Sequence, residues 1–220
     1  MTRYVALGDS YTIGTGVATG ERWPNQLCER LRRRGLDVVL AANLGVNGYT
    51  SADLIADELP ALSGLRPDLV TVLIGVNDVV RAIPPERYRA NVAQALDTIL
   101  ASLPASRIVT VSTPDFTVTP AGAEYGDPAL RSTEIRRFNG LLATMSRHRG
   151  IAHVDIHDLS LRAATDRTLV AGDGLHPSGA QYALWVDRIA PVVAGMLALP
   201  ASGPNPRRVR APGDPGCRGP

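Results

Sequence analysis

Leu69-Val-Thr-Val-Leu-Ile-Gly-Val-Asn77-Asp78 is a short, almost continuous apolar run that ends on a glycine and polar residues. Shortly after it, Pro84-Pro85 opens Glu86-Arg-Tyr-Arg-Ala-Asn-Val-Ala-Gln-Ala-Leu-Asp-Thr-Ile-Leu100, where Val92, Leu96, Ile99 and Leu100 form a stripe of helical period. Proline suits the first helical turn, because its missing N–H has no use there. A strand buried on both faces and followed by an amphipathic helix is the repeating unit of a parallel sheet. The same change of period recurs along the chain. Apolar runs at Arg3–Leu7, Asp37–Ala41, Leu69–Ile74, Ile108–Ser112 and Ile151–Ile156 alternate with helical patterns near 22–34, 51–62, 85–102, 130–148 and 178–198. The alternation predicts an α/β fold: a three-layer α/β/α sandwich around a five-stranded parallel sheet. Pro191 inside the last helical pattern predicts a kink or a break there.

The 220 residues suit one α/β domain with a substantial core. A hydrophobic content of 45% with 20% charged residues excludes the disordered and fibrous classes. From 200 onward Pro, Gly and Arg dominate and apolar periodicity stops, so 200–220 is expected to be a disordered tail. That tail carries +3 of the formal net charge of +2, which leaves the rest of the chain near neutral. All 23 basic residues are arginine, yet no basic face is implied, and no nucleic-acid partner is expected. Cys28 shares the apolar side of a helix with Leu27 and Leu31, and Cys217 lies in the tail, so no disulfide framework is expected. No run of about 18 apolar residues is present to span a membrane. The N-terminus enters a strand without a charged-then-apolar leader, which predicts a cytoplasmic protein with no integral membrane association.

Four short segments carry chemistry. Gly8-Asp9-Ser10 follows the first apolar run, Asn43-Leu-Gly-Val-Asn-Gly48 the second and Gly75-Val-Asn77-Asp78 the third, while Asp173-Gly-Leu-His176-Pro177 precedes the last helical pattern. A parallel sheet gathers such loops at the carboxyl ends of its strands. An acid and an imidazole three residues apart can share one side of a turn, the acid fixing the ring's tautomer while the other nitrogen faces a serine. Serine hydroxyls attack well only when a base takes their proton. Ser10 is thus the candidate nucleophile, His176 its base and Asp173 the partner of His176. The oxyanion formed on attack needs preorganised donors. The backbone N–H groups of Ser10 and Gly48 and the side-chain amide of Asn77 are the candidates, glycine at 48 allowing close approach of the backbone. Gly45 is a rival for that role.

These four blocks resemble those of the SGNH hydrolases, the GDSL family of esterases, lipases and thioesterases, over residues 3–199. The resemblance implies a flavodoxin-like fold, a hydrolase domain over 1–199, and acyl transfer through Ser10, Asp173 and His176 with Ser10, Gly48 and Asn77 as oxyanion donors. It implies no cofactor. Lipid esters, acyl thioesters, aryl esters and acetylated sugars are substrates within that family, and short acyl esters or lysophospholipid-like lipids are the expected substrates here. Tyr11-Thr12 departs from the family's leucine and serine, which marks both as candidate pocket residues.

Phe116 is a third pocket candidate, because it lies in the long loop 113–128. Trp23 and Tyr125 are further candidates for an acyl-binding wall, Trp23 being equally suited to the core. Asp9 and Asp78 are expected to tie down loop backbone or cap helices. His148 is expected to be solvated. His153 and His157, near Asp155 and Asp158, lack ligand spacing, so no metal site is expected. Gly14-Thr-Gly16-Val-Ala-Thr-Gly20 has one residue too many for a dinucleotide fingerprint, and a chain without lysine has no Walker loop.

Overall fold

Five parallel strands lie in the order β2-β1-β3-β4-β5 in the computed structural model, which describes residues 1–198. They are β1 (Thr2–Gly8), β2 (Val38–Asn43), β3 (Leu69–Leu73), β4 (Ile108–Val111) and β5 (Ala152–Val154). Each coincides with a predicted apolar run. The helices are α1 (Ser10–Ile13), α2 (Trp23–Arg32), α3 (Ser51–Asp53), α4 (Leu59–Leu65), α5 (Val76–Val80), α6 (Pro85–Leu100), α7 (Pro128–His148), α8 (His157–Ser160) and α9 (Gly179–Ala198). α2 packs on α9, whereas α6 packs on α3, α4 and α7, so the helices form a layer on each side of the sheet. This is the α/β/α sandwich that the alternation predicts. The expected tail at 200–220, residue 199 and Cys217 lie outside the described residues.

Strand order locates the crevice. From β1 the chain moves to one neighbour, β2, and from β2 it returns past β1 to β3. Right-handed crossovers place the two connections on opposite faces. The loops leaving β1 and β3 therefore diverge and open a gap at the carboxyl ends of these strands. β1 itself is enclosed on both sides: Tyr4, Val5, Ala6 and Leu7 have no exposed surface. The Tyr4 and Thr71 hydroxyls satisfy each other at 2.7 Å inside the sheet. Leu27 and Leu31 of α2 and Ile189 and Val193 of α9 are also fully buried. Each such side chain contributes about 1.5–3 kcal/mol to stability.

Two helices differ from their sequence patterns. The 51–62 pattern is not one α-helix: a π-helical turn at Leu54–Glu58 separates α3 from α4, its width recorded by the Leu59 N–H bonding to the Leu54 carbonyl. In α9 the chain runs through Pro191 as one element, without the break that proline suggests. Pro191 faces solvent, so water can serve the carbonyl that loses its N–H partner, while Ile189, Ala190 and Val193 hold the buried side. The proline at the start of α6 behaves as expected, with Pro85 in the first turn. Cys28 is buried and unbridged.

Gly45 sits where the β2 loop crosses the chain after Gly8. A Cβ there would lie 2.7 Å from the Ile13 nitrogen and 2.8 Å from the Asp9 carbonyl oxygen. Both contacts are backbone and cannot yield cheaply. Gly140, exposed within α7, has open space around it, with nothing within 4 Å of where a Cβ would stand. Gly45→Ala is expected to destabilise the protein by about 1–3 kcal/mol through overpacking, and Gly140→Ala to stabilise it by about 0.5–1 kcal/mol through helix propensity. Urea unfolding followed by circular dichroism would measure both; equal midpoints for the two variants would contradict the packing described.

Candidate active site

β1 ends at Gly8, and the chain turns at once into α1. Asp9 caps that short helix, its Oδ1 accepting the Tyr11 N–H at 3.0 Å. Ser10 is the first helical residue and only 8% of its surface is exposed. Its N–H belongs to the opening turn of a helix, where no intrahelical acceptor exists. Glycine is needed before this turn, since a Cβ at Gly8 would meet the Leu73 carbonyl oxygen at 2.1 Å.

His176 arrives from the far end of the chain on a tight turn. Asp173 Oδ1 accepts the backbone N–H groups of Leu175 and His176, both at 2.9 Å, which closes that turn. Asp173 Oδ2 lies 2.7 Å from His176 Nδ1, and His176 Nε2 lies 3.0 Å from Ser10 Oγ. With the Nδ1 proton donated to the carboxylate, Nε2 is left to accept from the serine hydroxyl. Burial pushes the Asp173 carboxyl up, but the Leu175 N–H, the His176 side chain and the His176 N–H outweigh it and hold the group below the usual carboxylate range. The ring is braced by Tyr11, 5.4 Å away centre to centre. The Gly174 carbonyl accepts the Ala121 N–H at 3.0 Å, tying the turn to the 113–128 loop. The glycine-rich segment after α1 has a local role here: a Cβ at Gly16 would lie 3.1 Å from Asp173 Oδ2.

Besides the Ser10 N–H, the predicted oxyanion donors come from the loops after β2 and β3. Asn77 Nδ2 donates to the Tyr49 carbonyl at 2.9 Å. That bond uses one amide proton and leaves the second. Gly48 and Asn77 both border the same cavity as Ser10 and His176. Glycine at 48 also has a backbone reason: its φ of +81° is left-handed, although the nearest protein atom to a Cβ there would be Arg81 Nη2 at 3.6 Å. Arg81 donates to the Gly48 carbonyl at 2.8 Å and clamps that loop, a contact no motif revealed. Gly45 is not a rival donor. Its N–H is taken by Asn43 Oδ1 at 3.2 Å, and Asn43 Nδ2 holds the Thr12 carbonyl at 2.8 Å.

The cavity measures about 250 Å³ and is lined by Ser10, Tyr11, Asn47, Gly48, Asn77 and His176 together with the apolar Val76, Val80, Phe116, Tyr125 and Leu175. Of the expected pocket and wall residues, Tyr11, Phe116 and Tyr125 are present. Thr12 is not: it is fully buried beneath the turn with its hydroxyl directed at the Leu7 carbonyl. The next residue of a helix faces about 100° away from its neighbour, so Tyr11 and Thr12 cannot share one direction. Trp23 belongs to the core, with no exposed surface. Val76 and Val80 were legible in principle, since they stand four positions apart on one face of α5, and Leu175 stands inside the Asp173–His176 turn.

The remaining acids and histidines act on structure. Asp78 receives the Ser51 N–H at 2.8 Å and the Ser51 hydroxyl at 2.5 Å, and so pins α3 to α5. His148 is exposed, and His153 Nδ1 is 2.9 Å from the Thr110 hydroxyl. Among the described residues no group of three His, Cys, Asp or Glu side chains is placed to hold a metal ion. Among them, too, no helix is long and apolar enough to cross a membrane. Asp115, almost fully buried, is the hub behind Phe116. Its Oδ1 accepts the Thr117 N–H and hydroxyl, Oδ2 accepts the Ser132 hydroxyl at 2.6 Å, and His157 Nε2 is 3.5 Å away. Burial pushes the Asp115 carboxyl up, yet His157, Ser132 and Thr117 together bring it down to about 2.

A parallel sandwich that collects four loop blocks at one crevice defines the class of this protein. The chain belongs to the GDSL-like lipase/acylhydrolase family, whose model matches residues 6–184. An arylesterase from Vibrio mimicus is 31% identical over 101 residues, 44% of this chain and 48% of that protein. Esterase TesA from Pseudomonas aeruginosa is 34% identical over 90 residues, 40% of this chain and 44% of that protein. The matches thus span about half the length of these curated relatives. A crystal structure of a lipase/acylhydrolase from Enterococcus faecalis shares the fold with a TM-score of 0.72 at 19% identity, over 93% of this chain and 100% of that one.

The depressed Asp115 carboxyl makes stability depend on acid. Its folded value, about 2, lies below the unfolded one, so its contribution is complete above about pH 4 and is lost as pH falls through 2. The loss expected is about 2 kcal/mol. Urea midpoints of wild type and Asp115→Asn between pH 2 and 6 would check this: the variant's acid slope should be shallower, and parallel curves would refute the assignment.

Proposed function

We propose that this protein is a serine esterase that cleaves carboxylic esters of short acyl groups through an acyl-enzyme at Ser10. The observation that carries the reading is the unbroken contact chain from Ser10 Oγ to His176 Nε2 at 3.0 Å and from His176 Nδ1 to Asp173 Oδ2 at 2.7 Å. On attack, His176 takes the Ser10 proton while Asp173 stabilises the imidazolium that forms. The imidazolium then gives that proton to the leaving alcohol; in the second half-reaction the ring takes a proton from water as its oxygen attacks the acyl carbon, and returns it to Ser10 Oγ as the acyl–Oγ bond breaks and the acid leaves. The Ser10 N–H, the Gly48 N–H and the free amide proton of Asn77 stabilise the oxyanion. His176, braced by Tyr11 and backed by Asp173, needs no metal to perform these steps.

The acyl preference rests on cavity size and lining. About 250 Å³ lies below the range of about 300–1,000 Å³ usual for small-molecule pockets. Much of its lining is apolar, supplied by Val76, Val80, Phe116, Tyr125 and Leu175. Such a lining favours a short aliphatic or aryl ester over an acetylated sugar, whose hydroxyls would find few partners. The relative named as an arylesterase supports the same class.

A fluorophosphonate probe should label wild type and leave Ser10→Ala unlabelled; absence of label on both would sink the reading. Asn77→Ala should lower turnover about 10²–10³-fold, and a loss under about threefold would remove Asn77 from the oxyanion site. Across a nitrophenyl ester series kcat/KM should peak at short chains. A peak at long chains, or on an acetylated sugar or an acyl-CoA, would reject the substrate class.

A further inference from the structure

Glu58 is buried without a place in the chemistry described above. It is 2% exposed, lies 48 residues after Ser10, and ends the π-helical turn between α3 and α4. Its Oε2 accepts the Gly8 N–H at 2.8 Å. The Gly8 carbonyl accepts the Val46 N–H at 3.2 Å, from the loop that also carries Gly48. The residue whose backbone launches the Ser10 turn is therefore held at both ends, and Glu58 is the only side chain among those contacts. Its neighbour Asp57 turns outward on the same segment and receives the Tyr49 hydroxyl at 2.8 Å. π-helical turns occur frequently at functional sites, where they change which residues a helix presents inward.

We propose that Glu58 is a positioning residue for Ser10: it holds the Gly8 N–H and thereby sets the pitch of the Gly8-Asp9-Ser10 turn against His176. The proposal rests on the reading of Ser10 as nucleophile. Glu58 does not touch the reacting atoms. It acts through the Gly8 peptide, where a small tilt would move Ser10 Oγ off its 3.0 Å contact with His176 Nε2. Misplacement of reacting groups by about 1 Å can lower rates about a hundredfold.

The surroundings of Glu58 indicate the form in which it works. Glu58 Oε1 and Asp9 Oδ2 are both buried with no hydrogen-bond partner. The charged groups acting on Glu58 are Asp9 and Asp57, both acidic. Those acting on Asp9 include Asp78, and the buried hydroxyls of Tyr11, Tyr88 and Tyr182 lie within its field. Burial, reinforced by these like charges, pushes the Glu58 and Asp9 carboxyls each up to about 8. A neutral carboxyl at 58 keeps Oε2 as the acceptor for Gly8 and avoids burying a charge beside Asp9. Glutamine reproduces that arrangement. Its carbonyl oxygen can accept from Gly8, and its amide stands where Oε1 has no partner.

The test compares wild type, Glu58→Gln, Glu58→Met and Ser10→Ala on a short nitrophenyl ester. Glu58→Met should lower kcat at least tenfold with KM within twofold, and Glu58→Gln should restore kcat to within about threefold of wild type. Unchanged kcat in Glu58→Met, a change confined to KM, or equal losses in both variants would overturn the proposal. Wild type should lose stability as pH rises from about 4 to about 8, because a raised folded value means stability present below the unfolded pKa and lost on the way to the folded one. That slope should be shallower in Glu58→Gln. Should Glu58→Met fail to fold, the Gly8 amide nitrogen shift decides, followed in an Asp9→Asn background because Asp9 titrates in the same range: it should still titrate there, and flatten when Glu58→Gln is added, and a Gly8 amide indifferent to that addition would overturn the contact. Wild type inactive on every ester and unlabelled by the probe would instead remove the esterase reading, with the Gly8 titration still reporting on Glu58.

Discussion

A Cβ at Gly8 would stand 2.1 Å from the Leu73 carbonyl oxygen, so β1 and β3 approach each other at this point as only glycine permits. Much of the site depends on that approach. Because β1 stops there, the chain turns into α1 under the cap of Asp9, and Ser10 emerges at the gap between the two strands. Because β3 runs alongside, the loop after it brings Val76 and Asn77 to the same gap. The loop after β2 crosses close behind, where Gly45 admits it and Asn43 ties it to the Thr12 carbonyl. Three loops thus meet at the point where a parallel sheet changes direction. The last turn needs only to close over them.

The carboxylates of this crevice illustrate how surroundings divide one functional group into different roles. Asp173 keeps about a third of its side chain exposed and accepts two backbone N–H groups besides the imidazole, so it stays ionised and steadies a histidine. Asp115, deeply buried, collects hydroxyls and a histidine and is ionised as well, but its work is to anchor the turn that presents Phe116. Asp9 and Glu58 are equally buried and have too few donors, and burial holds both toward their neutral forms. Proximity to the serine does not by itself fit an acid to the role that the proposed mechanism requires. Under that mechanism Asp173 is the fitted acid, because it is held ionised and its Oδ2 lies 2.7 Å from His176 Nδ1.

Much of this was legible from residues alone. The change from strand to helix period named every strand and the main helices, because burial on two faces and burial on one stripe leave different spacings. The four blocks named Ser10, Gly48, Asn77, Asp173 and His176, which the tertiary structure brings to the borders of one cavity or directly behind it. Other features were not legible, for reasons that can be stated. Thr12 was expected beside Tyr11 in the pocket, but adjacent helical residues face different ways. Trp23 suited a pocket or a core equally until α2 was set against the sheet. Arg81 reaches Gly48 across 33 positions and Glu58 reaches Gly8 across 50, and no local spacing records such contacts.

The sequence by itself determined the layered fold, the loops that carry chemistry and the residue types each loop supplies, because periodicity, proline and glycine act over a few neighbouring residues. Only the tertiary structure decided which of those residues touch. Ser10 and His176 stand 3.0 Å apart although 166 positions separate them, and the gap between β1 and β3 is what brings them together. Hydrogen bonds and shifted carboxyls depend on distances of a few ångströms. Those distances are set by packing across the whole sheet, and no stretch of the chain carries them alone.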